Sequence, residues 1–90
     1  MHMGKSSMFE AKVTISLKKG VSDPEGANTL KALHLLGFTN VTKAATLRTF
    51  FLEVEGKGKD DVEKSVEQMC QRLLTNPVIH SYTITVEEKP

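Results

Sequence analysis

Cysteine is nearly absent from this sequence of 90 residues, in which Cys70 stands alone. A single cysteine excludes an intrachain disulfide and a zinc site of the usual multi-cysteine type. Long apolar runs are also missing, and the N-terminus lacks the apolar segment of a secretion signal. These absences predict a cytoplasmic protein that has no membrane partner and holds no metal.

An excess of one charge is missing too, because 12 Lys and Arg residues face 11 Asp and Glu residues and the formal net charge is +1. Such a balance argues against nucleic acid as a partner. The length allows a single domain, which we place at residues 9–90 after a polar N-terminal tail or expression remnant at residues 1–8. A core of this size is marginal, so we expect a partner or self-association.

The first half of the chain contains one clear strand and one clear helix. Residues 9–18 alternate between apolar and polar, which is typical of a strand buried on one face. A helix follows, with Asp23 as its cap, Pro24 in its first turn and Gly37 at its end.

The second half contains another helix and strand. Asp60 and Glu63 predict a capping box at the start of a helix with an apolar stripe. Asn76 is suited to the left-handed conformation that ends a helix, and Pro77 cannot continue one. Residues 78–86 then alternate as a last strand.

The region at residues 41–55 reads as strand but changes phase. Its apolar side chains fall on odd positions up to Leu47 and on even positions from Phe50. A two-residue hairpin at Arg48-Thr49 or a bulge in one long strand would explain the change. Because Arg-Thr is poor chemistry for the favoured hairpin turns, a long bent strand that carries the first half of the chain onto a neighbouring subunit is a third interpretation.

The resulting order is strand-helix-strand-strand-helix-strand. It predicts an α+β fold of the ferredoxin-like βαββαβ plan, with an antiparallel sheet and two helices on one face. The other face is predicted to be polar and flat, which favours dimerisation in so short a chain. This outer face carries Glu10, Lys12, Thr14, Ser16, Phe51 and Glu53.

No set of residues resembles a catalytic centre. Cys70 lies on an apolar helix stripe, where a buried structural thiol is the simplest interpretation. His34 and His80 lie on separate elements without partners at metal-ligand spacing, so packing roles are predicted. The glycine-lysine stretches at residues 18–20 and 56–59 match no phosphate-binding fingerprint. We therefore predict no catalytic and no metal-binding residue.

Three longer motifs resemble one family. They are VTISLKKGVSDPEG at residues 13–26, ALHLLGF at residues 32–38 and MCQRLLTNPVIHSYTITVEE at residues 69–88. In this order they resemble PurS, the small-subunit family of phosphoribosylformylglycinamidine (FGAM) synthase. One departure is that the family commonly has Arg-x-Gly-Lys before an aromatic residue, where this chain has Arg48-Thr49. This chain therefore has no counterpart of that lysine, and Arg48 is the positive charge at this place.

The resemblance implies a non-catalytic assembly subunit of FGAM synthase in purine biosynthesis. It implies that the chain bridges the large ATP-dependent synthetase subunit (PurL) and the glutaminase subunit (PurQ), so that ammonia passes between them. It further implies a homodimer, which can pair into a tetramer. No cofactor is expected in this chain, because ATP and Mg²⁺ are used by the large subunit.

Five residues are predicted to contact partners, and each also has a structural explanation as a cap, a turn or a helix stop. They are Asp23, Glu25, Arg48, Asn76 and Pro77. Two other classes share the predicted strand order. One is an ACT-like regulatory module that binds a small molecule at a dimer interface. The other is an acylphosphatase-like enzyme, whose phosphate loop needs an arginine where this chain has Lys18-Lys19-Gly20.

Overall fold

A computed structural model describes residues 7–90. The strands are β1 (Ser7–Leu17), β2 (Arg48–Gly56) and β3 (His80–Glu88). The helices are α1 (Pro24–Leu35) and α2 (Lys59–Met69), and a π-helical turn at Cys70–Leu74 extends α2. Most of the predicted tail lies outside the described residues. β1 begins at Ser7, so the last two residues assigned to the tail belong to the strand.

The three strands form one antiparallel sheet in the order β2-β1-β3. In the central strand, Val13 stands opposite Phe50 on one side and Ile84 on the other. Strict alternation then separates an apolar inner face from a polar outer face. The register places all the predicted outer-face residues on one side, namely Glu10, Lys12, Thr14, Ser16, Phe51 and Glu53.

The core lies between the inner face of the sheet and α2. Val62 and Val66 of α2, with Cys70 just after it, are fully buried, which confirms the structural interpretation of the thiol. Burying a side chain of this kind contributes roughly 1.5–3 kcal/mol to folding. The buried strand residues that meet them are Phe9, Ala11, Val13, Ile15 and Val86.

The helix α1 stands apart from this core. Among the described residues it packs against none of the strands and not against α2. The molecule measures 63 × 29 × 14 Å, and its radius of gyration is 17.9 Å. A compact chain of this length has a radius of gyration of about 12 Å. The shape is therefore elongated because one helix projects from the rest.

The α+β class and the ferredoxin-like relation are confirmed, but two details of the predicted plan differ within one chain. Within residues 7–90, three strands form instead of four, and one helix covers the sheet instead of two. The hairpin predicted at Arg48-Thr49 is wrong, since both residues lie inside β2. A tight hairpin turn needs residues with positive φ, and among residues 7–90 only glycines have it. The continuous register of β1 and β2 also contradicts the bulge.

Both ends of α2 also differ from the prediction. The N-cap is Gly58 and no side chain caps the helix, so the capping box is wrong. Asn76 does not have positive φ. The helix instead widens into the π-helical turn, in which the amide of Thr75 donates to the Cys70 carbonyl at 2.9 Å and its hydroxyl donates to the same oxygen at 2.8 Å.

Candidate functional site: an arm and the groove at its base

Residues 24–47 form an arm that leaves the body, by which we mean the sheet, α2 and the π-helical turn. α1 leads outwards, a turn follows it, and residues 41–47 return along the helix without entering the sheet. Three contacts tie the returning segment to the helix, and they lie at the base and near the tip.

At the base, the carboxylate of Asp23 joins the two halves of the arm. Its Oδ1 accepts a hydrogen bond from the amide of Gly26 at 2.9 Å, which caps α1. Its Oδ2 accepts one from the amide of Thr46 at 2.9 Å, on the returning segment. These two N–H groups, Gly26 first, hold the pKa of Asp23 below its ordinary value. The predicted cap is thus confirmed, and it has a second partner 23 residues away.

Gly26 lets the returning segment approach the helix closely. A Cβ atom added to this residue would lie 2.5 Å from the carbonyl oxygen of Ala44 and 2.7 Å from Oδ2 of Asp23. Both distances are shorter than any van der Waals contact allows, so only glycine fits here. Gly26 is also the one buried residue of the arm.

Near the tip, a turn and a histidine hold the arm together. Gly37 has φ +99°, as a residue that ends a helix in the left-handed conformation does. The amides of Gly37 and Phe38 donate to carbonyls of the last helical turn at 3.0 and 2.9 Å. His34 Nε2 lies 2.7 Å from the carbonyl oxygen of Val41. Because a carbonyl only accepts, Nε2 carries the proton.

Several large apolar side chains of the arm face solvent. Leu35 is 79% exposed and Leu36 is 74% exposed. Phe38 and Leu47 are also more exposed than buried. An isolated helix of this length is marginal in water, and most helical stability comes from tertiary packing. The arm therefore has an apolar surface that no other described part of the chain covers.

A groove of about 680 Å³ lies where the arm meets the body. It brings three of the five predicted contact residues together, since Asp23, Glu25 and Arg48 all line it. Its apolar lining comes from Ile15, Leu17, Pro24, Leu47 and Leu74, and Ser16, Thr46 and His80 complete it. The groove thus combines two carboxylates, a guanidinium and an apolar floor, which is a composition suited to a protein segment.

The other two predicted residues lie in the loop before β3, outside the groove lining. The Asn76 side chain accepts from the amide of Val78 at 3.0 Å. The Asn76 amide donates to His80 Nδ1 at 2.9 Å, and its carbonyl accepts from the His80 amide at 2.8 Å. Asn76 therefore organises a loop that leaves Pro77 and Val78 exposed.

Sequence reasoning missed Thr46, Gly26 and His80 as parts of this site. Gly26 carried a signal, because a glycine inside the first turn of a helix points to a close backbone approach. The hydrogen bond from Thr46 to Asp23 had no signal in the sequence, since almost any residue can donate its backbone amide.

The described residues offer little in the way of reactive groups. Burial, and next the charge of Glu67, raise the pKa of the Cys70 thiol, which makes it a poor nucleophile. Among residues 7–90, no group of His, Cys, Asp or Glu is arranged to hold a metal ion. None of the described helices is long and apolar enough to span a membrane.

The fold and the site define a class: a small α+β domain of ferredoxin-like order whose notable surface is an arm and groove suited to assembly. Comparison with known proteins identifies the family. The model of the PurS family, described as phosphoribosylformylglycinamidine (FGAM) synthase, matches residues 10–88. The chain belongs to the PurS family and is a subunit of FGAM synthase in purine biosynthesis.

Individual relatives agree with this assignment. FGAM synthase subunit PurS of Archaeoglobus fulgidus is 47% identical over 78 residues, covering 87% of this chain and 98% of the relative. The crystal structure of PurS from Methanocaldococcus jannaschii has a TM-score of 0.84 at 43% identity, covering 91% of this chain and 99% of that one. A chain in the structure of PurLQS from Thermotoga maritima has a TM-score of 0.79 at 28% identity, covering 91% of this chain and 98% of that one.

Proposed function

We propose that this chain is the non-catalytic assembly subunit that bridges the large synthetase subunit (PurL) and the glutaminase subunit (PurQ), and that it acts as a homodimer. The T. maritima PurLQS structure, in which a PurS chain is one component, supports the bridging role. The observation that carries the homodimer is the arm, because it contains one helix and one extended segment that the body lacks.

The body lacks these parts at a definite place. In the ferredoxin-like plan a fourth strand lies beside β2, and a second helix covers the inner face next to α2. Here β2 is an edge strand, and its inward side chains Phe50, Leu52 and Val54 are only partly buried. An open, regular edge with apolar side chains is a ready template for another strand.

The arm of a second copy has the matching parts. Its residues 41–47 would pair with the free edge of β2, and its α1 would cover the inner face beside α2. The exchange is reciprocal, so both copies use the same surfaces about a two-fold axis. The chain enters β2 at Arg48 without turning back, and this is why its own arm does not fold onto its own sheet.

The polar outer face stays free in such a dimer. We propose that two dimers pair through it to give the tetramer. We also propose that the protein is cytoplasmic, that this chain binds no cofactor, and that ATP and Mg²⁺ are used by the large subunit.

A bridging subunit has a clear physical purpose in this reaction. Ammonia released into water takes up a proton and diffuses away before a second enzyme can use it. A scaffold that holds two active-site openings together raises the local concentration of the transferred molecule, as linking two binding modules does. This task needs complementary surfaces and no reactive side chain.

The test compares two nitrogen sources. The large and glutaminase subunits are mixed with and without this chain, and synthase activity is measured with glutamine and with ammonium salt. We expect glutamine-dependent activity to need the chain and ammonia-dependent activity to remain without it. If both activities are unchanged, and the chain does not co-elute with the two subunits, the proposed bridging role is wrong.

A further inference from the structure

We infer that Asp23 and Gly26 are positioning residues that lock the direction in which the arm leaves the body. Asp23 would then act in assembly by holding α1 and the returning segment in one fixed orientation. The effect of the lock on dimer formation rests on the proposed arm exchange, whereas the lock itself is a property of the single chain. It gives Asp23 a role other than the partner contact predicted from the sequence.

The first observation is the double use of one carboxylate. The two oxygens of Asp23 bind amides that are 20 residues apart in sequence, Gly26 at the start of α1 and Thr46 next to β2. Hydrogen bonds from amides to a carboxylate are charge-assisted and are stronger than neutral ones. One side chain thus joins α1 and the returning segment at the point where they leave the body.

The second observation is the close fit at Gly26. The carbonyl of Ala44 and the carboxylate of Asp23 occupy the space that any side chain would need. The returning segment therefore lies flat against the first turn of α1 only while this residue is glycine. Together, the bonds and the fit leave the base of the arm little freedom to rotate.

The third observation is that α1 itself is not packed on the body, although residues 43–47 of the returning segment lie beside the loop at residues 18–21. α1 packs against no strand and not against α2. The remaining contact between its two halves, from His34 to Val41, lies near the tip and not at the base. A reciprocal exchange needs each arm to point at the partner before contact, because ordering a loose segment on binding costs affinity.

The test measures the arm angle and the association separately. A donor and an acceptor dye are attached to cysteines introduced at Thr39 near the tip and Thr85 on the sheet, two exposed positions, while buried Cys70 stays unlabelled. Time-resolved fluorescence of doubly labelled chain, diluted into excess unlabelled chain and also alone at nanomolar concentration, gives the intrachain distance distribution. Sedimentation gives the dimer dissociation constant.

We expect a narrow distribution for the wild-type chain and a broad one for Asp23→Ala. The dissociation constant of this variant should rise about tenfold, since losing a capping side chain and a second bond costs of this order. Asp23→Asn, which keeps one acceptor oxygen, should lie between the two. Ser22→Ala is the matched control, because Ser22 is the exposed neighbour and lines no part of the groove.

Gly26→Ala separates the lock from ordinary helix stability. Alanine normally stabilises a helix relative to glycine. We expect this variant to keep or raise helical circular dichroism while the distance distribution broadens and the dimer weakens. A merely structural role of Gly26 in α1 would lower helicity together with association.

The outcomes distinguish the lock from the dimer. If Asp23→Ala keeps the wild-type distribution and dissociation constant, the lock is refuted. A broad distribution for the wild-type chain alone at nanomolar concentration refutes it as well. If the wild-type arm is narrow, Asp23→Ala broadens it and no dimer forms at any concentration, the lock stands and the proposed arm exchange fails.

Discussion

The body and the arm of this chain are built from similar residues but are stabilised in different ways. In the body, apolar side chains of α2 and β1 bury one another, and five of the core residues are 1% exposed or less. In the arm, leucines and a phenylalanine of comparable size stay in water. The body is held by packing, whereas the arm is held by a few hydrogen bonds at its base and tip.

The contrast teaches where a short chain places its apolar surface. Exposing large apolar groups is unfavourable for a monomer and usually marks an interaction surface. Here four of the exposed large apolar residues belong to the arm, and the body beside it has a free edge and a half-covered face. The missing parts of the body and the unused parts of the arm therefore match.

The largest expected difference between body and arm is in the loss of stability when a phenylalanine of each is replaced by alanine. Phe9 in the body is 3% exposed and Phe38 at the arm tip is 54% exposed. We expect Phe9→Ala to lower the free energy of unfolding by about 3–5 kcal/mol. Phe38→Ala should change the unfolding of the isolated chain by only about 0.5 kcal/mol.

Urea denaturation at two protein concentrations checks this pair. The midpoint for Phe9→Ala should be low at both, while any shift for Phe38→Ala should appear only at the concentration where the chain associates. Equal losses for the two variants at low concentration would mean that the arm tip is packed in the single chain, which would contradict the contrast.

A tight turn introduced between the arm and the body should let the apolar surface of the arm pack on the sheet of its own chain. Arg48→Asn with Thr49→Gly introduces the pair that favours a type I′ hairpin. The arm would then fold back onto its own β2 edge, and the dimer dissociation constant should rise at least about tenfold, or 1.4 kcal/mol. Arg48→Ala with Thr49→Ala is the control, since it removes the same side chains without the turn.

Sedimentation equilibrium of the two double variants decides the matter. The Asn-Gly variant should sediment with the mass of a monomer. If both double variants dimerise as the wild-type chain does, arm exchange through the β2 edge is wrong.

The body was the more predictable region from sequence. Residues 9–18 alternate with period two, which indicates a strand with one buried face, and Val62 and Val66 have the spacing of one buried helix face. Asp23, Pro24 and Gly37 were also placed correctly, because capping and positive φ depend on local chemistry.

The arm could not be predicted fully because its outcome depends on a change of direction at one point. Whether Arg48 and Thr49 form a hairpin turn or continue the strand is decided by weak local preferences. These two residues therefore determine whether the arm folds onto its own sheet or points away from it. The phase change at residues 47–50 was visible in the sequence, but the strand predicted from residue 41 begins only at Arg48. No groove was predicted from the sequence, although three of the predicted contact residues, Asp23, Glu25 and Arg48, line it and Asn76 and Pro77 do not. Their roles in binding stay predictions.

Acid should loosen the base of the arm through Asp23. The Asp23 carboxyl titrates below its ordinary value of 3.8 in the folded chain, because the amides of Gly26 and Thr46 bind its charged form. Its contribution is thus present above pH 3.8 and is lost as the pH falls through the lower folded value. We expect the arm distance distribution to broaden in that acidic window for the wild-type chain, whereas Asp23→Asn should show no such step. A step of equal size in Asp23→Asn would assign it to another group.

Alkali should act on the opposite region, and the sequence makes this small effect measurable. Tyr82 is the only tyrosine and tryptophan is absent, so tyrosinate absorbance reports this one residue. Its hydroxyl donates to Glu67 Oε2 on α2, and Gln71 lies beside both groups. The bond to Glu67 raises the pKa of Tyr82 above its ordinary value of 10.0, since only the neutral phenol can donate.

The bond between Tyr82 and Glu67 therefore contributes fully below pH 10.0 and is lost as the pH rises through the folded value. We expect the absorbance midpoint to fall in Glu67→Gln and to return to about 10 in urea-unfolded chain. Glu63→Gln is the matched control, because Glu63 lies in the same surface pocket without bonding the phenol. If the absorbance midpoint of Tyr82 is the same in Glu67→Gln as in the wild-type chain, this bond does not hold β3 to α2. If the midpoint does fall, alkali loosens the contact of β3 with α2, a contact of the body in which the arm takes no part.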